Sequence, residues 1–157
     1  MNTIGFNKEK AKELAAKLNE LLADYQVFYT NVRGFHWNIK GEKFFELHLK
    51  FEELYNDLIL KIDEIAERIL TLGEKPEHRY SRYLQLATIH EAGNTENGRE
   101  NMEAILESLR ILIAKQRELL DLSDEAGDEG TNSLMSDYLR EQEKLSWMYS
   151  AYLTKSN

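Results

Sequence analysis

Two imidazoles and three carboxylates lie close enough along this chain to suggest metal chemistry: His36, His48, Glu52, Asp63 and Glu67. The chain has no cysteine, which removes disulfides and thiolate sites and leaves nitrogen and oxygen as the only strong metal donors. Iron, manganese and zinc all accept such ligands. Helix geometry sorts the five residues further. At about 100° per residue, His48, Glu52, Asp63 and Glu67 fall within an arc of roughly 100° on one helix. At about 1.5 Å rise per residue, His48 and Glu67 are roughly 28 Å apart along the axis, too far for one coordination sphere.

Two copies of that helix resolve the conflict. Packed antiparallel across a two-fold axis near Asp57 and Leu58, they bring His48 and Glu52 of one chain against Asp63 and Glu67 of the other. His36 can complete each of the two equivalent sites. Simpler readings stay open at this point. Asp63 and Glu67 suit a solvated helix face, and His48 alone suits a surface or interface histidine. Like charges four residues apart on a helix cost a few tenths of a kcal/mol unless a cation offsets them.

The elements that must position these residues are almost all helical. The first helix is expected from Asn7, a suitable N-cap, to the high thirties, with Leu14, Leu18, Leu21, Leu22, Tyr25, Phe28, Tyr29 and Val32 at helical spacing. Gly41 breaks the pattern. The second helix is expected from Phe44 to Leu72, ended by Gly73 and Pro76. Residues 74–97 form a long crossover in which Tyr80, Tyr83, Leu84 and Leu86 can make a short helix. A connection of that length suits parallel second and third helices. The third helix is expected from Gly98 to Ala126, stopped by Gly127, and the fourth from near Thr131. The fold class is therefore all-α, a four-helix bundle with a short helix in the crossover, and residues 1–157 form one domain.

Composition narrows the function classes. With 42% apolar and 31% charged residues, the chain has the make-up of a folded domain. A formal charge of −8 argues against general binding to nucleic acid, which needs basic side chains to neutralise phosphates. Lys8, Lys10, Lys12 and Lys17 are interleaved with Glu9, Glu13 and Glu20, as on a solvated helix face. The opening MNTIGFNKEK has no signal-peptide run, and no stretch suits a membrane span, so a cytoplasmic location is expected.

The segment NVRGFHWNIKG, followed by FFELHLKFEELY and DEIAERILTLGEKP, resembles the Dps mini-ferritins of the ferritin-like superfamily. The likeness extends through the crossover, DLSDEAGDEGTNSL and KLSWMYSAYL, and so spans nearly the whole chain. It implies a ferroxidase shared by two-fold-related subunits, with His36, His48 and Glu52 from one chain and Asp63 and Glu67 from its partner. It also implies a dodecameric cage that oxidises Fe(II), preferentially with hydrogen peroxide and otherwise with oxygen, and stores ferric mineral. Zinc or manganese can substitute for iron in such a site. Glu52 stands where many members carry aspartate. Trp37 matches the tryptophan beside the family's site, where it either packs or carries electrons. Asp124, Asp128 and Glu129 fall where the family builds an acidic iron entrance at its three-fold axis, Asp124 and Glu129 being the preferred pair, and Ser133 replaces a common aspartate. His78 and His90 lie outside the pattern and read as surface residues.

Competing functions differ in what they require. A di-iron site inside one bundle uses Glu-x-x-His motifs, and none occurs here. A DNA-compacting protein needs a basic tail, whereas the helical pattern starts near residue 7 and the closing TKSN adds one lysine. DNA binding is therefore unsupported. A purely structural cage would not need all five ligand positions filled.

Overall fold

The computed structural model describes residues 1–155; Ser156 and Asn157, the end of the TKSN tail, lie outside the described residues. Five helices follow in order: α1 (Lys8–Asn38), α2 (Phe44–Thr71), α3 (Tyr80–Leu86), α4 (Gly98–Ala126) and α5 (Glu129–Leu153). Among the described residues there is no strand, only an isolated bridge between Lys40 and Asn97. The four long helices form the bundle, and α3 lies within the crossover and packs on α1.

Local chemistry sets the helix ends. The Asn7 side chain accepts hydrogen bonds from the backbone N–H groups of Glu9 and Lys10, two donors that the first turn of α1 leaves free. Gly127 takes the left-handed conformation, φ 72°, that closes α4. The fourth long helix begins at Glu129, two residues before the expected Thr131, because the Asp128 side chain caps it through the Thr131 N–H.

The crossover is fastened along α1 at three levels. Asn19 accepts from the Glu77 N–H and donates to the Lys75 carbonyl. Asp24, fully buried, accepts from the N–H groups of Thr88 and Ile89, both at 2.7 Å, and pairs with Lys115 of α4. Asn31 accepts from the Ala92 N–H and donates to the His90 carbonyl. The crossover thus runs the length of the bundle, and a methyl added at Gly98 would meet Leu47 and Ile39. The start of α4 therefore lies beside the start of α2, and the two helices run parallel as the long connection requires.

The core is built from the expected stripes, with Leu18, Leu21, Phe28, Phe51, Ile65 and Leu112 essentially without exposure. At mid-bundle it carries a closed polar ring. The Tyr25 hydroxyl donates to Gln116 Oε1 at 2.6 Å, Gln116 Nε2 donates to Gln142 Oε1 at 2.7 Å, and Gln142 Nε2 donates back to the Tyr25 oxygen at 2.6 Å. Burial raises the Tyr25 phenol far above its ordinary value, so the ring stays neutral. Its neutral amides and phenol, with no carboxylate or imidazole among them, are poor ligands for a divalent metal.

Candidate metal centre

His36 is in the last turn of α1 and His48 in the second turn of α2, and the short connection folds them face to face. Their rings stack with centroids 3.8 Å apart and 13° between planes. Each ring is also held by the other residue's backbone. His36 Nδ1 lies 2.7 Å from the His48 carbonyl oxygen, and His48 Nδ1 lies 2.7 Å from the His36 carbonyl oxygen. A carbonyl can only accept, so both Nδ1 atoms carry the proton. In the neutral imidazole this tautomer keeps the lone pair on Nε2, the state that a metal ligand needs. The bond to His36 also satisfies a carbonyl freed at the end of α1.

The pair is walled by aromatic rings. Phe44 stacks on the outer face of His48 at 4.9 Å, and Tyr55 sets its edge against His36 at 5.3 Å. Sequence reasoning missed both, although the signal was present. Phe44 stands four residues before His48 and Tyr55 seven after it, so all three share one side of α2.

Glu52 follows one turn after His48 and is half-buried; Asp63 and Glu67 are exposed farther along α2. Among the described residues none of these three carboxylates has an ion pair or a side-chain hydrogen bond, so each remains available to a cation. Nor do three His, Asp or Glu side chains converge on a common point within the described residues of the chain. The structure brings His36 and His48 together and leaves Asp63 and Glu67 at the other end of α2, as the axial distance demands.

The face that carries these carboxylates is apolar as well. Phe45, Leu49, Ile59, Leu60 and Leu70 are each between 45% and 80% exposed. Counting from His48, all five fall within roughly the same 120° arc as Glu52, Asp63 and Glu67. Asp57 and Leu58 mark the level expected for the two-fold axis, but their own side chains do not belong to this face. Leu58 is buried, and the Asp57 carboxylate binds Lys61 of the same helix, which in turn reaches Glu141 of α5. At that level of the helix, Asn56, Ile59 and Leu60 face outward.

Trp37 is 64% exposed, and the Arg33 guanidinium lies 4.8 Å from its ring centroid. It is not a core residue of the chain. Of the entrance candidates, Asp124 and Glu129 are exposed on either side of the α4–α5 turn. Asp128 is not an entrance residue. It is 4% exposed, caps α5 and receives Arg68 Nη2 at 2.7 Å, so its carboxylate is fully engaged inside the fold. His78 and His90 are exposed.

Residues 15–157 match the family model described as a ferritin-like domain. The DNA protection during starvation protein of Porphyromonas gingivalis is 46% identical over 99% of this chain and 98% of its own. The crystal structure of the Dps protein from Vibrio cholerae O1, described as a member of a broad superfamily of ferritin-like diiron-carboxylate proteins, superposes with a TM-score of 0.97. It is 55% identical and covers 98% of this chain and 97% of its own. Dps from Listeria innocua, in a structure soaked with zinc, is 30% identical with a TM-score of 0.87, over 91% of this chain and 97% of its own. Fold, site geometry and likeness together show that this chain belongs to the Dps family of ferritin-like proteins.

Proposed function

We propose that the chain is a ferroxidase subunit that binds Fe(II) between two copies of itself. His36, His48 and Glu52 supply one half of each centre, and the partner subunit's Asp63 and Glu67 supply the other. The observation that carries this reading is the reciprocal hydrogen bonding of the two histidines, which fixes both rings through Nδ1 and leaves Nε2 of each for a metal, one helical turn before Glu52 in the chain. Such bonds orient imidazole ligands and raise their basicity. The exposed apolar face of α2 supports the two-fold pairing, since antiparallel α2 helices would cover it while bringing the two ligand sets together.

The protein's contribution to the reaction is placement. Two ferrous ions, both held firmly or one tightly and one loosely, give up one electron each, hydrogen peroxide takes both, its O–O bond breaks, and two protons complete two waters. Taking the electrons together avoids releasing hydroxyl radical. Carboxylates stabilise the extra charge on each ferric product, and the ferric ions then hydrolyse and deposit as mineral inside a dodecameric cage, with Asp124 and Glu129 at the iron entrance. This activity would protect cell and DNA in the cytoplasm by chemistry, which suits a chain of charge −8 better than DNA coating does.

Stopped-flow oxidation of anaerobically loaded Fe(II), by peroxide and by oxygen, tests the reading. Wild type is compared with a His36→Ala/His48→Ala variant of the same assembled size. Fast peroxide-driven oxidation in the wild type should vanish in the variant. Equal slow rates in both would refute it in favour of a non-enzymatic DNA-binding or structural cage.

A further inference from the structure

The carboxylate half of α2 is held from behind by three polar ties to α5 and the turn before it. Lys61 Nζ bonds Glu141 at 2.7 Å as well as Asp57 of its own helix. The Tyr138 hydroxyl donates to Glu64 at 3.0 Å. Arg68 donates from Nε to Thr131 Oγ1 at 3.0 Å and from Nη2 to Asp128 at 2.7 Å. Counting from His48, Lys61, Glu64 and Arg68 fall between roughly 160° and 220° around the helix, whereas Asp63 and Glu67 fall at roughly 60° and 100°. Ties and carboxylates therefore alternate along the same two turns and point to different sides.

The last tie is shaped as well as charged. Arg68 is mostly covered, and the Asp128 carboxylate that receives it also binds the Thr131 N–H and hydroxyl. Gly130 leaves room for the guanidinium. A methyl placed there would stand 2.6 Å from both Nη1 and Nη2 and 2.7 Å from Cζ, so Arg68 would have to move.

We propose that Arg68, seated on Gly130 and locked by Asp128 and Thr131, is a positioning residue for the partner-facing carboxylates Asp63 and Glu67. The inference rests on the interfacial ferroxidase reading. His36 and His48 are locked by each other's backbone, whereas Asp63 and Glu67 have no such lock among the described residues. Their placement depends on how α2 as a whole is seated, and Arg68 adjoins Glu67 in sequence. A ligand shell must be held within about half an ångström to work well, and a misplacement of about 1 Å can cost up to about a hundredfold.

Gly130→Ala tests this without removing any hydrogen-bonding group. In protein of wild-type size and helicity, the Fe(II) concentration for half-maximal rate should rise about tenfold, with the limiting rate within about twofold of wild type. A Co(II) titration monitored by absorbance, which needs no turnover, should show the same loss of affinity. Arg68→Lys keeps a charge for Asp128 but loses the planar fork. It should fall between wild type and Gly130→Ala, and it carries the test alone if the alanine variant does not assemble. Unchanged Fe(II) and Co(II) affinities in these variants would overturn the proposal, as would a loss confined to the limiting rate. His36→Ala/His48→Ala, run alongside, distinguishes the two failures. If it abolishes oxidation while the Arg68 and Gly130 variants behave as wild type, only the positioning role fails; if it too is silent, the ferroxidase reading fails.

Discussion

Leu60→Glu should separate the chains across the proposed two-fold interface while leaving each chain folded. Leu60 is 66% exposed, so a carboxylate there disturbs little of the chain's own core. Fully burying a leucine is worth about 1.5 to 3 kcal/mol, so covering the exposed two-thirds is worth about 1 to 2 kcal/mol per chain. A two-fold axis counts the change twice, giving about 2 to 4 kcal/mol per pair, or a dissociation constant weakened about 30- to 1,000-fold. Residue 60 lies only about 4 Å along the helix from the level where the two copies cross. The two introduced carboxylates would therefore approach and repel, adding to that loss. Sedimentation equilibrium over a concentration series measures the effect, with far-ultraviolet circular dichroism as the check on folding. If the variant keeps wild-type size down to the lowest concentration while Fe(II) oxidation persists, the α2 face is not the subunit contact and the pairing argument is wrong.

Two further outcomes follow from the donor set and from the buried phenols. Zinc has no redox chemistry and takes nitrogen and oxygen ligands, so Zn(II) added before iron should suppress Fe(II) oxidation and saturate at the stoichiometry of the centre. Calorimetry should show that binding lost in the His36→Ala/His48→Ala variant, and undiminished oxidation by zinc-saturated protein would contradict a shared site. Alkaline pH should unfold the protein in step with phenol ionisation. Burial raises Tyr25, Tyr138 and Tyr149 above their ordinary value, so in the folded chain they keep protons that the unfolded chain releases from about pH 10, and stability falls as pH rises past that point. Lys61 acts in the same direction. Burial pushes its pKa down, but its hydrogen bonds to Asp57 and Glu141 outweigh this and raise it, so its contribution is complete below about pH 10.4 and is lost as pH climbs through the folded value. Near-ultraviolet absorbance should show these three of the eight tyrosines ionising only as helicity disappears; ionisation of all eight in a still-helical chain would contradict the burial argument.

The helices were legible because apolar spacing and punctuation agree. Asn7, Gly41, Gly73 and Gly127 stand where a cap or a left-handed turn is needed, and the stripes between them have one period. Side-chain allegiance was harder to read. Asp128 looks like its neighbours Asp124 and Glu129 in a string of letters, yet its oxygens are claimed by the Thr131 backbone, the Thr131 hydroxyl and Arg68, a residue sixty positions away. The local part of that pattern, an aspartate three residues before a threonine at a helix start, was available; the guanidinium was not. The angular arithmetic that grouped His48 with Glu67 would also have turned Asp57 roughly 180° from His48, away from the partner. The tautomer of the histidine pair could not be read at all, since it depends on two carbonyls brought near by tertiary folding.

The two halves of the proposed centre are prepared by different physics, and this bears on when chemistry can begin. The imidazole half is complete within one chain. Its rings are stacked, bonded to backbone at both Nδ1 atoms and walled by Phe44 and Tyr55, so little reorganisation remains when a cation arrives. The carboxylate half is displayed rather than built. Asp63 and Glu67 lie on an exposed face among the exposed apolar side chains of α2. Under the proposed pairing, the hydrophobic contact that joins two chains is also the step that delivers the carboxylates to the imidazoles. A lone subunit would then hold Fe(II) weakly and leave it without the second ion that lets peroxide take two electrons at once. Coupling assembly to ligand completion in this way would confine oxidation to the assembled protein, where, under the proposed function, the ferric product would have a shell to enter.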